Sequence, residues 1–393
     1  MKILFFTNEY SHTKLPNSGG VGSFLKIMSE SLSKQGHDIF VYGFSKKPIE
    51  FKDKGIHFKF IKKYSKQFRF NEFIRSSASK LGHKKANLNF LIKERKYYAK
   101  KLKTHCRKNN IDIIESFVFN GYTAYWDNST PLVLRFHGSR GFWHYYLGAE
   151  KDEFKIEMEQ IALKKTKHLI AVSKFSADAV KKIYNINIQN VIYNGIDSSF
   201  FAPDEKKFDT KKQSIFYFGT ISKAKGVDIL CDVFNSISLN FPDATLHLIG
   251  RGQNYWEHLS KEVLTSNALK KTTYYGPKNP RELTSLLQEA NICVFPSLNE
   301  NFSLAIEEAM SLKKIVIASD IPAFKEIINH GENGLIAHHK KDYITLISYI
   351  FKSPESYSPI AVKAREDILE NYTKEKMVAQ TLTLYKSILS NKF

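Results

Sequence analysis

Twelve short apolar runs punctuate the chain, and amphipathic helical stretches separate most of them. The first run is "KILFFT" (2–7), followed by "GGVGSFLKIMSESLSKQGHD" and then "IFVYGF" (39–44). Between those two runs Leu25, Met28 and Leu32 recur at helical spacing, and Gly36 is a natural helix stop. "IIES" (113–116), "LVLRFH" (132–137), "LIAVS" (169–173) and "NVIYNG" (190–195) continue the series. A polar segment around 197–213 interrupts it. The pattern then restarts with "IFYFGT" (215–220), "TLHLIG" (245–250), "TTYYG" (272–276), "ICVFPS" (292–297), "KIVIAS" (314–319) and "GLIA" (334–337). Strands alternating with helices imply a mostly parallel sheet covered on both faces, and a pattern that restarts implies two of them. The expected fold is therefore α/β, with two Rossmann-like doubly wound domains and a ligand in the cleft between them.

At 393 residues and 42% hydrophobic content the chain can fill two cores. The expected domains are 1–196 and 197–373. The last amphipathic run, "KEKMVAQTLTLYKSIL" (374–389), needs a surface to cover, and a C-terminal helix over about 374–393 is expected to pack back on the first domain. No run of eighteen apolar residues exists to span a membrane. The apolar run at the N-terminus is short for a signal peptide and no small-residue cleavage site follows it, so it reads as a first strand. Cys106, Cys231 and Cys293 are scattered and odd in number, which suits a reducing cytoplasm rather than a disulfide framework.

The net charge of +20 is unevenly spread. Residues 1–195 hold 35 basic and 16 acidic side chains, whereas 196–393 hold 24 and 23. Within 46–108 the count is 21 to 4, with aromatics from Phe51 to Tyr98 interleaved. Such a block marks a polyanionic partner. An anionic membrane surface is the expected one, with Lys62, Lys63, Lys66 and Arg69 on the docking side and the protein held peripherally at the inner face. Nucleic acid is the rival, but no recognised nucleic-acid motif is present.

Five stretches carry chemistry. "NSGGVGSF" (17–24) joins the first strand to the first helix, and Gly19, Gly20 and Gly22 let backbone approach a ligand. "FGTISKAKGVDIL" (218–230) is the matching turn of the second domain, with Gly219 ending a strand and Lys225 able to hold a phosphate as a point charge. "LIGRGQ" (248–253) adds Arg251 in a third such turn. "LVLRFHGSRG" ends a strand on His137 and Gly138, where a histidine can donate, accept or stay purely structural. In "FPSLNENFSLAIEEAM" (295–310), Glu300 precedes a helix and Glu308 lies inside it, with seven residues between them. The helix's first N–H groups, from about Asn301 to Leu304, have no partner within the helix itself and can grip an anion or a sugar hydroxyl. A solvated acidic face is the plainer reading of Glu307 and Glu308. No serine or cysteine nucleophile elbow appears, and no histidine pair has metal-ligand spacing, so neither metal nor cofactor is expected.

These stretches, in this order, resemble the retaining glycosyltransferases of family 4, which have the GT-B fold. The resemblance extends over "IAVSKFSADAV", "VIYNGID", "HLIGRG", "YYGPKNPRELTSLLQEANICVFPS", "ENFSLAIEEAM" and "GENGLIA", and covers nearly the whole chain. It implies transfer of a sugar from a nucleotide diphosphate sugar, UDP before GDP, to a hydroxyl of a glycan or lipid-linked acceptor in bacterial surface polysaccharide synthesis. It assigns His137, Glu300 and Lys225 to the catalytic centre, with Glu308 on the donor ribose. Around the donor it places Gly20, Gly22, Gly219, Thr220, Arg251, Asn301, Phe302, Ser303 and Leu304, with Tyr275, Gly276 and Pro277 at the base. The sequence departs from the family at Thr220, where many members carry an arginine for the diphosphate, and at Ser303, where glycine is usual. A nucleotide-sugar 2-epimerase of the same fold is the alternative.

Overall fold

The structure, a computed structural model, describes all residues except 16–18, 81–83, 205–211 and 391–393. Part of the expected glycine loop at 17–18 and the middle of the expected linker therefore lie outside the described residues. The chain divides into two compact units, one of residues 1–194 with 374–393 and one of residues 195–373.

Among the described residues the first unit holds eight strands: β1 (Lys2–Thr7), β2 (Asp38–Ser45), β3 (Ile49–Asp53), β4 (Ile56–Lys62), β5 (Ile113–Phe117), β6 (Leu132–Phe136), β7 (His168–Ala171) and β8 (Asn190–Val191). Their order in the sheet is β3-β4-β2-β1-β5-β6-β7-β8. Every pairing is parallel except β3 with β4, where Phe51 faces Phe58. The β3–β4 hairpin lies within the 46–108 block, and in β4 the buried Ile56, Phe58 and Phe60 alternate with His57 and Lys59 at the two-residue period of a strand. Chain order reverses between β1 and β5, the switch point at which doubly wound sheets take their ligands.

The helix Gly20–Lys34 covers one face with Phe24, Leu25, Met28 and Leu32. The C-terminal helix Lys374–Ser390 lies on that same face, and Met377, Val378, Tyr385 and Ile388 join its core. The other face is closed by a core that includes Phe90, Tyr98, Trp126, Phe142 and Tyr184. Between Tyr64 and Asn109 three helices follow β4, the longest being Lys84–Asn109.

Among the described residues the second unit holds six strands, β9 (Ser214–Phe218), β10 (Thr245–Ile249), β11 (Thr272–Tyr274), β12 (Ile292–Phe295), β13 (Ile315–Ser319) and β14 (Leu335–Ala337), all parallel in the order β11-β10-β9-β12-β13-β14. The near-continuous apolar runs of β9, β12 and β13 are those of a sheet buried on both faces. The switch point here falls between β9 and β12. Among the described residues no helix is long and apolar enough to cross a membrane.

Candidate active site

In the second unit the loops after β9, β10, β11 and β12 are tied together at one sheet edge. Gly219 N–H donates to the Ile249 carbonyl at 2.9 Å, Ile221 N–H to the Arg251 carbonyl at 2.7 Å, and Gly250 N–H to the Gly276 carbonyl at 2.9 Å. A side chain at Gly250 is excluded, because a Cβ there would lie 1.6 Å from the Gly219 carbonyl oxygen. Arg251 is thereby held next to the Thr220 turn, whose carbonyl accepts the buried Tyr217 hydroxyl at 2.9 Å. Tyr275 follows β11 and its hydroxyl meets His247 Nδ1 at 3.0 Å, with Gly276 and Pro277 beyond it.

Lys225 ends a single helical turn, Lys223–Lys225, and Gly226 then takes φ +64°. A Cβ on Gly226 would sit 2.0 Å from the Pro296 carbonyl oxygen, so glycine alone permits this approach of the β9 and β12 loops. Leu298 N–H donates to the Ala224 carbonyl at 3.1 Å across the same junction. The approach delivers the Lys225 ammonium to the Glu300 carboxylate as an ion pair, and the Ser297 hydroxyl donates to Glu300 at 3.3 Å.

The following helix runs Leu304–Ser311 with Ser303 as its N-cap, the hydroxyl accepting from Ile306 N–H at 3.4 Å. The helix starts later than the sequence pattern suggests, because Ser303 caps it. Asn301 and Phe302 belong to the preceding loop, and the amides of Leu304 and Ala305 open the helix. Glu307 and Glu308 are not a solvated face. Glu307 is fully buried, neither carboxylate oxygen has a hydrogen-bond partner, and burial raises its pKa well above the usual range. Glu308 is half-buried, and desolvation pushes its carboxyl up to about 8.

In the first unit, the C-terminal ends of β1, β2, β5 and β6 wall a cavity of about 360 Å³ that Gly19, Gly20, Tyr122, His137 and Trp143 help to line. Gly20 opens the first helix, and Gly22 is buried within its first turn. His137 packs between the rings of Phe24 and Phe117, with centroids 4.5 and 5.3 Å away. Its Nε2 is closed off from solvent and has no hydrogen-bond partner. Burial first and the Arg135 charge second hold its pKa well below the usual range, so the imidazole is neutral. Arg135 is itself buried against Glu115 at 2.8 Å, and the C-terminal helix completes the pair: Arg135 donates to Thr381 at 2.9 Å and the Tyr385 hydroxyl donates to Glu115.

Sequence reasoning missed Glu159, which no local motif marks. Its buried carboxylate accepts the N–H groups of Asn120 and Arg140 at 2.8 Å and of Gly141 at 3.2 Å, and the Tyr184 hydroxyl at 2.7 Å. It thereby fixes the two loops that bring Tyr122 and Trp143 to the cavity. On the basic side, Lys62 ends β4, Lys63 is half-buried, and Lys66 and Arg69 are exposed. The interleaved aromatics divide: Phe58, Phe60, Tyr64, Phe90 and Tyr98 are core, whereas Phe68, Phe70 and Phe73 are 39%, 74% and 68% exposed. Among the described residues no group of three or more His, Cys, Asp or Glu is placed to hold a metal ion.

Two parallel-sheet α/β units with ligand-type loops at their switch points define a GT-B protein, and solved structures share the fold. Sucrose-phosphate synthase from Thermosynechococcus elongatus superposes with a TM-score of 0.79 over 99% of both chains at 17% identity. Anabaena HepE, solved in complex with UDP-glucose, gives 0.71 over 99% of this chain and 100% of that one at 16% identity. The family model for Glycosyltransferase Family 4 matches residues 18–200, and that for Glycosyl transferases group 1 matches residues 199–367. The chain belongs to family 4 of the glycosyltransferases. It is 27% identical over 266 residues to an uncharacterised glycosyltransferase of Methanocaldococcus jannaschii, covering 66% of this chain and 69% of that one. It is 27% identical over 240 residues to the O-antigen chain mannosyltransferase of Salmonella typhimurium, covering 59% and 65%. With the GDP-mannose:cellobiosyl-diphosphopolyprenol alpha-mannosyltransferase of Xanthomonas oryzae it shares 27% over 213 residues, covering 54% and 55%.

Proposed function

We propose that this glycosyltransferase moves a sugar, with anomeric retention, from a nucleoside diphosphate sugar to a hydroxyl of a glycan or lipid-linked acceptor in surface polysaccharide synthesis. The single observation that carries the reading is the junction at Gly226, which sets Lys225, Glu300 and the start of the Leu304–Ser311 helix side by side. In this reading Lys225 and the helix amides face the departing diphosphate, a preorganised positive field where negative charge develops. Arg251, held beside Thr220, supplies the second cation that the family's arginine would give. Glu308 accepts the ribose hydroxyls, Glu300 meets the donor sugar, and Tyr275 to Pro277 adjoin the base. The neutral His137 orients the donor sugar from the first unit, beside the backbone of Gly20 and Gly22. No side chain stands out as a covalent nucleophile, and we assign deprotonation of the acceptor to the leaving phosphate on the same face.

UDP is the first choice of nucleotide, supported by the fold shared with HepE and its UDP-glucose. GDP-mannose is the second reading, favoured by the name of the Xanthomonas relative. Lys66 and Arg69, with the exposed Phe68, Phe70 and Phe73, form a surface that suits an anionic bilayer: basic groups for the headgroups and rings for the interface. Docking there brings the first unit to a lipid-linked acceptor at the cytoplasmic face.

Transfer assayed in excess EDTA, with the product linkage read by NMR, tests this function. Activity that survives the chelator and keeps the donor's anomeric configuration supports it. Loss in EDTA with rescue by magnesium or manganese contradicts the leaving-group role of Lys225. Donor conversion without any acceptor would make the protein an epimerase.

A further inference from the structure

We propose that the cavity between the helices that follow β4 and the helix Glu153–Lys165 is a second saccharide subsite, one that takes a neutral, hydroxyl-rich sugar residue of the acceptor away from the reacting hydroxyl. The word acceptor rests on the glycosyltransferase reading; the saccharide chemistry rests on the cavity wall itself. The cavity measures about 300 Å³ and shares Tyr122 with the cavity that holds His137. That volume is at the low end of the roughly 300–1,000 Å³ of small-molecule sites, which suits a short piece of glycan.

Three acid–base pairs line it. Arg75 donates to Glu72 at 3.1 and 2.6 Å and to Asn87 at 3.3 Å. Arg95 pairs with Glu94, and Lys155 with Asp152 at 2.5 Å. Each pair presents donors and acceptors next to one another, which matches hydroxyl groups that both donate and accept. A phosphate or carboxylate fits the wall poorly. It would meet three carboxylates, each already neutralising its own cation, with only Lys63 in excess. The cations are also fixed in advance, because the Arg75 guanidinium lies 5.4 Å over Phe90 and that of Arg95 lies 4.5 Å over Tyr122.

Arg95 is locked into the cavity wall. It is 1% exposed, its Nη2 donates to the Asn120 carbonyl at 2.6 Å, and its Nε has no hydrogen-bond partner.

The test is saturation-transfer difference NMR on the full chain. The probes are methyl glycosides of glucose, mannose, galactose and N-acetylglucosamine, and cellobiose. Saturating UDP is present throughout. At least one saccharide is expected to give a signal, and the signal is expected to vanish in the Glu72→Gln/Arg75→Met double variant and to weaken in Asn87→Leu. Glu72 and Arg75 are about one-third exposed, so their joint replacement strands no buried charge. Retained thermal stability of both variants confirms that they fold. Silence from every saccharide, displacement of the signal by inorganic phosphate, or equal signals in wild type and both variants overturns the subsite. Failure of the protein to bind any nucleotide is a separate result: it removes the donor reading and leaves the saccharide signal to be judged alone.

Discussion

Lys225 and Glu300 form an ion pair although they come from different loops, the lysine from the turn after β9 and the glutamate from the loop after β12. Their side chains are 30% and 17% exposed, so solvent screens the pair and its own contribution to stability is small. In the proposed function its consequence is for binding, because a diphosphate approaching Lys225 would compete with a carboxylate already there. Lys225→Ala is therefore expected to weaken nucleotide diphosphate binding by about 1.5–3 kcal/mol, the loss of a charge-assisted hydrogen bond. Glu300→Gln is expected to leave that affinity unchanged or raise it while abolishing transfer. Titration calorimetry on the two variants decides, and equal losses of affinity in both would contradict the division of roles.

With Glu308 in its proposed place on the donor ribose, nucleotide binding is expected to depend on pH. Its carboxyl is pushed up to about 8, so the ligand-free site holds a proton at neutral pH. Accepting two ribose hydroxyls requires the ionised form, so binding below that pH releases a proton. Affinity should rise with pH by up to about tenfold per unit and level off above the carboxyl's pKa. Calorimetry in buffers of different ionisation enthalpy reports the proton directly, and Glu308→Gln should flatten the profile.

Glu307 is a buried acid without a partner, so replacing it with an apolar residue of similar size should stabilise the protein. We expect Glu307→Leu to gain about 1–3 kcal/mol, the cost of an unsatisfied buried polar group. The sign with pH follows from its raised folded-state pKa. Between the ordinary carboxyl range and that raised value the unfolded chain binds fewer protons than the native one, so wild-type stability falls as pH rises. The fall should be shallower in Glu307→Leu. Scanning calorimetry in mildly acidic and mildly basic buffer measures both effects.

The sequence made the strand–helix alternation, and with it the two sheets, legible because those strands are apolar throughout. The apolar runs leave out β3 and β4, where lysines and histidines at alternate positions keep any continuous apolar run from forming. The stretches proposed to face the donor stand out as motifs because glycine and charge recur at strand ends. What no motif records is contact between distant segments: Glu115 with Arg135, Thr381 and Tyr385, or Glu159 gathering the amides of Asn120, Arg140 and Gly141. Glu307 shows the converse limit, since its neighbour made it look like half of a solvated pair.

Gly226→Ala tests the junction itself. The residue has φ +64° and its Cβ would meet backbone at 2.0 Å, so the β9 and β12 loops must part. Positive φ alone costs about 1 kcal/mol for a non-glycine residue and the clash adds to it. The variant should unfold at lower denaturant and bind nucleotide less tightly even with Lys225 and Glu300 intact.

Membrane docking should require charge and exposed rings together. Liposome co-sedimentation is expected to show binding to anionic vesicles that falls steeply as salt rises. Phe70→Ser/Phe73→Ser, or glutamates at Lys62, Lys63, Lys66 and Arg69, should release the protein. Equal binding to neutral vesicles contradicts the docking surface.

A thermal-shift panel of UDP-, GDP- and ADP-sugars, run on wild type and on the Lys225→Ala/Glu308→Ala double variant, tests the central claim most directly. A ligand held by the native state raises its stability by about 2.7 kcal/mol at a hundred times its dissociation constant. The account predicts a clear rise for one nucleotide class in wild type and little or none in the double variant. No shift with any nucleotide sugar, or the same shift in both proteins, would contradict a donor site built from Lys225, Glu300 and Glu308.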